Sequence, residues 1–272
     1  MVQSKDSFAA NVLSRYRQLG EAGRSVLASE RKRLREQAAL SPAMGHPDFA
    51  HLSLGETGTC DAASVFIDLE QFTARTFWDP PHQVAQLAQA VLSQVASVVS
   101  DYGGFVLGLR GDGLFASFGS SASQAEVDVP FALAAGAFAL DATENSLNSL
   151  LVMSGIEPVK LRVGADYGRL DFTRTGTLAA SEVNVVGFSA NFAAKCEKVA
   201  LSWEYVVGER FAEHLSDDIL EAHEKSPKRY QRNYQTKSYN FYKAAWRSAL
   251  PHLGGVAEAL AGRSTSVVRA HY

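Results

Sequence analysis

Two short stretches constrain this chain more than anything else in it. Val65-Phe66-Ile67-Asp68-Leu69-Glu70-Gln71-Phe72-Thr73 reads as an apolar strand that ends on an acid and then turns. Further on, Gly103-Gly104-Phe105-Val106-Leu107-Gly108-Leu109-Arg110 leads into Gly111-Asp112-Gly113 and a second apolar run, Leu114-Phe115-Ala116-Ser117-Phe118. A Gly-Asp-Gly between two such runs is a hairpin signal, because Asp and Gly tolerate the left-handed backbone a tight turn needs. If the first strand and the hairpin are neighbours in one sheet, Asp68 and Asp112 meet at its edge. Two carboxylates so placed repel unless a cation lies between them. Hard divalent ions bind through one or two carboxylates plus substrate phosphates, so the pair points to a metal-triphosphate site. The structural alternatives are an ordinary turn aspartate and a helix-capping aspartate.

The elements around these stretches follow from periodicity. Phe8, Val12, Leu13, Tyr16 and Leu19 recur at helical spacing, and a charged helix is expected over Ser29–Ala39. A loop rich in Gly and Pro, 41–61, marks a boundary. After Pro80-Pro81 the positions Val84, Leu87, Ala88, Val91, Leu92, Val95, Val98, Val99 and Tyr102 form one apolar helical stripe, closed by Gly103-Gly104. A second, Ala-rich helix is expected over 129–151, a strand over 159–167, a loop up to Val183–Val186, a third helix over 187–200, and short strands at 205–207 and 239–244. The order strand, helix, hairpin, helix, strand is the split βαβ pattern. It predicts an α+β fold, an antiparallel sheet with helices on one face. The expected division is an N-terminal helical extension and loop (1–61), a main domain (62–248) and a loosely held tail (249–272).

Composition removes several classes of function. Lys and Arg number 26 against 29 Asp and Glu, a net charge of −3, which gives no hint of a nucleic-acid binder. Cys60 and Cys196 are the only cysteines, too few for a disulfide scaffold or a zinc site. The longest apolar run, 131–140, is about half of the roughly 20 residues a membrane helix needs, and the N-terminus lacks a signal-peptide core. The expected place is the cytoplasm, with no membrane partner.

Three blocks together carry a family resemblance. They are Phe66–Thr73, Gly103–Phe118, and Gly187-Phe188-Ser189-Ala190-Asn191-Phe192-Ala193-Ala194-Lys195-Cys196-Glu197-Lys198-Val199-Ala200. In this order and spacing, residues 62–245 resemble the class III nucleotidyl cyclase catalytic domain. The resemblance implies two Mg²⁺ or Mn²⁺ ions per site, held by Asp68, Asp112 and the Leu69 carbonyl. It implies a phosphate-cradling turn at Gln71, Phe72 and Thr73 beside Phe66, and a ribose-orienting Asn191. It also implies a head-to-tail homodimer in which Asn191 of one chain completes the site of the other. Where the family usually has arginine one turn after the asparagine, this chain has Lys195, a cation without the bidentate fork. Arg229, Arg232 and Lys237 stand where the family places a phosphate-binding lysine. The base-reading positions are Gly108 and Asn184, neither of them a usual purine reader, and one amide offers both a donor and an acceptor. This combination resembles the pyrimidine cyclases of the Pycsar antiphage systems, soluble enzymes whose cyclic nucleotide addresses a separate effector. The implied activity is conversion of UTP to 3′,5′-cyclic UMP and pyrophosphate. Cytidylate cyclase, adenylate cyclase and a non-catalytic nucleotide-binding domain stand as alternatives.

Overall fold

The computed structural model of the protein describes residues 2–22, 44–256 and 258–259. Its central strand is β1 (Thr57–Leu69), in which Ala63, Val65, Ile67 and Leu69 are buried on one face while Phe66 and Asp68 lie on the other. β1 pairs antiparallel with β3 (Gly113–Phe118) on one side and β4 (Leu161–Gly176) on the other. β2 (Phe105–Arg110) joins β3 through the Gly-Asp-Gly turn. The sheet continues from β4 to β6 (Tyr205–Gly208), β10 (Phe241–Ala244) and β7 (Leu220–Ala222), and β5 (Ser181–Val186) folds back on the outer half of β4.

One face of the sheet is dry. The long helix α3 (Pro81–Asp101) lays its apolar stripe over β2 and β3, and α4 (Ala125–Asp141) covers β1 and β4. A π turn at Ala142–Leu147 carries α4 on into α5 (Asn148–Met153). The end of α3 shows why two glycines stand there. Gly103 adopts φ +78 and the Gly104 amide donates to the Val99 carbonyl at 2.8 Å, satisfying a carbonyl the helix end would otherwise orphan. The N-terminal helix α1 (Lys5–Ala22) belongs to the same core: Phe8, Ala9 and Val12 are fully buried, Phe8 meets Phe138 edge to face, and Lys5 pairs with Asp141 at 2.7 Å.

The fold class is the expected α+β, with two refinements. β4 and β6 run parallel, because the helix α6 (Phe188–Val199) lies between them as a crossover, and a crossover returns the chain in the same direction. Helices also cover both faces. Val163 and Ala165 belong to the core beneath α4, whereas a Cβ at Gly164 would lie 2.0 Å from the Glu197 amide. So α6 sits directly on the opposite face, and only glycine admits it there.

Three strand regions were expected as loop or charged surface. β1 begins at Thr57, so position 61 falls inside the strand. The Gly58 that made this stretch look like a breaker leaves room for the Phe49 ring, which stacks on Phe172 at 4.1 Å. The stretch after residue 167 continues as β4 and returns as β5, and the basic run is a separate hairpin, β8 (Lys228–Arg232) with β9 (Gln235–Tyr239). The helices α2 (Phe72–Arg75), α7 (Glu209–Ala212) and α8 (Trp246–Ala249) are single turns. The expected charged helix over 29–39 and the tail beyond residue 259 lie outside the described residues. Among the described residues no helix is long and apolar enough to cross a membrane.

Candidate functional site

The face of the sheet under α6 carries Phe66, Asp68, Arg162, Gly164 and Asp166, residues that alternate with the buried apolar set on the same strands. Beside α6 this face opens into a cavity of about 440 Å³. Phe66 and Asp68 line it from β1, Gly108 from β2, Asn184 from β5, and Asn191 and Glu197 from α6. Five expected site residues from four separate elements therefore surround one space. Its apolar wall is the stacked pair Phe66 and Phe115, with ring centroids 4.4 Å apart and planes 8° apart.

Asp112 sits at the edge of this space. Gly113, its neighbour, is the cross-strand partner of Asp68, and the Leu69 amide donates to the Asp112 carbonyl at 2.9 Å. Asp112 is close enough for its charge to raise the pKa of Asp68. The hairpin thus delivers the second acid to the first, as its turn chemistry predicts. The donor set of two carboxylates and a backbone carbonyl is all oxygen, the kind that Mg²⁺ and Mn²⁺ take. No cluster of three or more His, Cys, Asp or Glu placed for a metal occurs among the described residues.

Two residues at the site were not singled out from the sequence. Arg162 faces Asp68 across the β1/β4 ladder, and its Nε and Nη2 donate to Asp68 Oδ2 at 3.0 and 2.8 Å. Glu197 approaches from α6, with its Oε1 2.6 Å from Arg162 Nη2. That contact is an ion-pair approach out of line for a hydrogen bond, for Oε1 is buried without a hydrogen-bond partner. Burial is the main cause that raises the pKa of both acids, with Arg162 opposing it. A usable signal existed: in Leu161-Arg162-Val163-Gly164-Ala165-Asp166 the apolar residues share one face and Arg, Gly and Asp the other.

The remaining expected residues are distributed as follows. Gln71 takes a left-handed φ of +57 and opens α2, so Phe72 and Thr73 form its first turn next to Asp68. Phe72 is buried, while Gln71 and Thr73 are exposed. Lys195 folds back on its own helix, donating to the Asn191 carbonyl at 3.3 Å, and does not line the cavity. Asn184 donates its amide to the Thr175 hydroxyl. A Cβ at Gly108 would meet nothing within 4 Å. Arg229, Arg232 and Lys237 are all exposed on the β8–β9 hairpin. The register separates them: Tyr230 pairs with Lys237 and Arg232 with Gln235. Lys237 and Arg232 therefore share the face of Tyr230 and Tyr239, which packs on Phe188, and Arg229 points the other way.

That hairpin is held by a buried acid on the same polar face. Asp166 is fully buried and accepts from Tyr239 Oη at 3.1 and 3.2 Å, while Tyr239 Oη accepts from the Arg210 amide at 2.9 Å. Burial pushes the Asp166 carboxyl up to about 7.

No protein-family model matches the chain, and no curated protein matches it in sequence. Solved structures do. The guanylyl cyclase Cya2 matches at a TM-score of 0.59 and 20% identity, over 71% of this chain and 94% of its own. The adenylyl cyclase CyaB from P. aeruginosa matches at 0.60 and 19%, over 70% and 95%. A class III adenylyl cyclase-like ATP-binding protein from Pseudomonas aeruginosa matches at 0.56 and 20%, over 71% of this chain and 45% of its own. At these identities the likeness establishes the fold.

Proposed function

We propose that this chain is a nucleotidyl cyclase that acts on a pyrimidine nucleoside triphosphate, UTP first, and releases the 3′,5′-cyclic monophosphate and pyrophosphate. The observation that carries it is the single cavity lined by Asp68, Gly108, Asn184 and Asn191, with the Asp112 turn at its edge, on a fold shared with cyclases that act on other nucleotides. In the reaction the ribose 3′-oxygen bonds to the α-phosphorus, the bond to the bridging oxygen of the β-phosphate breaks, and the hydroxyl proton leaves to solvent. Two divalent ions, when bound, would lower the pKa of the hydroxyl and neutralise the triphosphate.

The chain's own groups have distinct tasks in this reading. Asp68, Asp112 and the Leu69 carbonyl hold the ions. The first-turn amides of α2 face the phosphates, since the opening amides of a helix have no partner inside it. Lys237 and Arg232, on the docked face of the hairpin, supply cationic contacts. Asn191 orients the ribose, and Lys195 reaches the transition state as a point charge once it leaves the Asn191 carbonyl. Asn184 reads the base edge opposite the open space at Gly108. The cavity of one chain already holds Asn191 beside its own Asp68; the head-to-tail homodimer that the resemblance implies, in which Asn191 and Lys195 would serve the partner's acids, is the alternative arrangement of the same groups. The cyclic nucleotide would then act on a separate effector in antiphage defence.

Cytidylate cyclase is the second reading, because the side chain at the base-reading position suits either pyrimidine. The Asn184 amide donates one hydrogen to Thr175, and its carbonyl oxygen can accept from the exocyclic amine of cytosine as its second N–H can donate to the O4 of uracil. The test is to incubate the protein with Mn²⁺ and ATP, GTP, CTP or UTP in turn and to identify products by mass spectrometry. Cyclic UMP is expected. Cyclic CMP would transfer the assignment to the second reading, and a cyclic purine nucleotide would overturn the base assignment while keeping the site.

A further inference from the structure

Asp68 is already engaged. Nε and Nη2 of Arg162 both donate to one of its oxygens, and Glu197 Oε1 stands 2.6 Å from the same Nη2. The side chains are largely shielded from water, with 17% of Asp68, 23% of Arg162 and 11% of Glu197 exposed. Asp68 and Arg162 are cross-strand partners one pair from the end of the β1/β4 ladder, and Glu197 is fixed because α6 rests on Gly164.

We propose that Arg162 is a built-in competitor for the divalent cation at Asp68, kept on that carboxylate by Glu197 of α6. This rests on the cyclase reading and deepens it. A guanidinium offers a planar fork of donors that matches a carboxylate oxygen and carries its charge permanently. A dication arriving at the same oxygen finds it occupied and meets a like charge beside it, in surroundings that screen charge less than water does. The nucleotide-free chain therefore holds metal weakly at Asp68, and the site becomes competent only when Arg162 moves off. Glu197 opposes that movement from the helix that also bears Asn191 and Lys195, so the position of α6 and the availability of Asp68 are linked. A purely structural ion pair makes the opposite prediction. Removing its arginine would leave a carboxylate less well placed, and metal binding would stay the same or weaken.

The test uses the full chain without nucleotide and reads free Mn²⁺ by electron paramagnetic resonance. Arg162→Met is expected to tighten Mn²⁺ binding about tenfold or more, equivalent to ~1.4 kcal/mol. Glu197→Ala, which frees the guanidinium to swing away, is expected to tighten it by a smaller factor. Unchanged or weaker binding in folded Arg162→Met overturns the proposal. If that variant does not fold, Arg162→Lys, which lacks the fork, is expected to shift binding in the same direction, and no shift overturns it equally. Asp68→Ala separates the two levels of the argument. If the wild type binds Mn²⁺ no better than Asp68→Ala, the metal assignment itself fails. If it binds better but Arg162→Met does not exceed it, only the competitor role fails.

Discussion

The two faces of β1 and β4 are made by alternate residues of the same strands, and they obey different rules. On one face Val65, Ile67, Leu69, Val163 and Ala165 are sealed beneath α3 and α4, and the helices fix them by volume alone. On the other face Asp68, Arg162, Gly164 and Asp166 lie under α6, and every contact depends on charge, hydrogen bonding or the absence of a side chain. The dry face stabilises the domain. The polar face pairs buried carboxylates that cost free energy to desolvate and keeps them where a substrate could use them. The contrast teaches that the dry face is closed by volume alone, whereas under α6 apolar packing by Phe192, Cys196 and Val206 is interrupted by a patch of charge and hydrogen bonding, and it is this patch that the proposed chemistry would use.

Substitutions can break this contrast or sharpen it. The largest effect on stability is expected on the polar face, from the smallest change. Gly164→Ala would place a methyl 2.0 Å from the Glu197 amide and 2.5 Å from the Ala193 carbonyl. α6 has to lift off the sheet, so a loss of about 3 kcal/mol or more is expected in urea unfolding, beyond ordinary overpacking. Ile67→Ala on the dry face removes a side chain that is 1% exposed. It is expected to lose about 3 kcal/mol by the cavity it leaves, with product formation per folded molecule unchanged.

Asp166 gives the contrast a pH dependence. Its carboxyl is raised from the ordinary carboxylate value to about 7, so between pH 5 and 7 the unfolded chain has lost a proton that the folded chain keeps. Stability from this group is full at acid pH and falls as pH rises, by ~1.4 kcal/mol per unit in that window. Urea midpoints measured across pH 5 to 7 in wild type and Asp166→Asn are expected to differ in slope by this amount, the variant being flatter. A dry-face variant such as Ile67→Ala is expected to leave the slope alone. Tyr239→Phe is the mildest change, removing one hydroxyl between Asp166 and the Arg210 amide. A loss of about 1–2 kcal/mol is expected. A rise in the KM for the triphosphate should accompany it, because the hairpin bearing Lys237 is no longer pinned.

The two faces were also unequally legible in the sequence. The stripe of α3, its double-glycine end and the alternation of Val65, Ile67 and Leu69 are local patterns, and the structure follows them. Asp68 and Asp112 were legible because a turn motif and an acid-ended strand announce themselves over a few residues. Arg162 was not, because its partnership with Asp68 is a matter of strand register across 94 positions. Glu197 needed the further knowledge that α6 crosses at Gly164. β5 and the β8–β9 hairpin were missed for another reason: Thr175, Ser181, Lys228, Arg229 and Gln231 are exposed strand residues, and the inner faces carry only the half-buried Val183 and Val185 of β5 and Tyr230 and Tyr239 of the hairpin, too few for a clear apolar alternation.

The account stands most directly on one comparison, product formation by Asp68→Asn and by Asp112→Asn against wild type, with Mn²⁺ and the preferred triphosphate, each variant checked by its urea midpoint. The prediction is a loss of activity by about a thousandfold or more, some 4 kcal/mol of transition-state stabilisation. The midpoints are expected to show a folded protein, because Asp68 lies on the polar face and Asp112 in the β2–β3 turn, and neither carries any of the dry core. Activity within about tenfold of wild type in either folded variant, less than ~1.4 kcal/mol, would contradict the assignment of the polar face as the catalytic site.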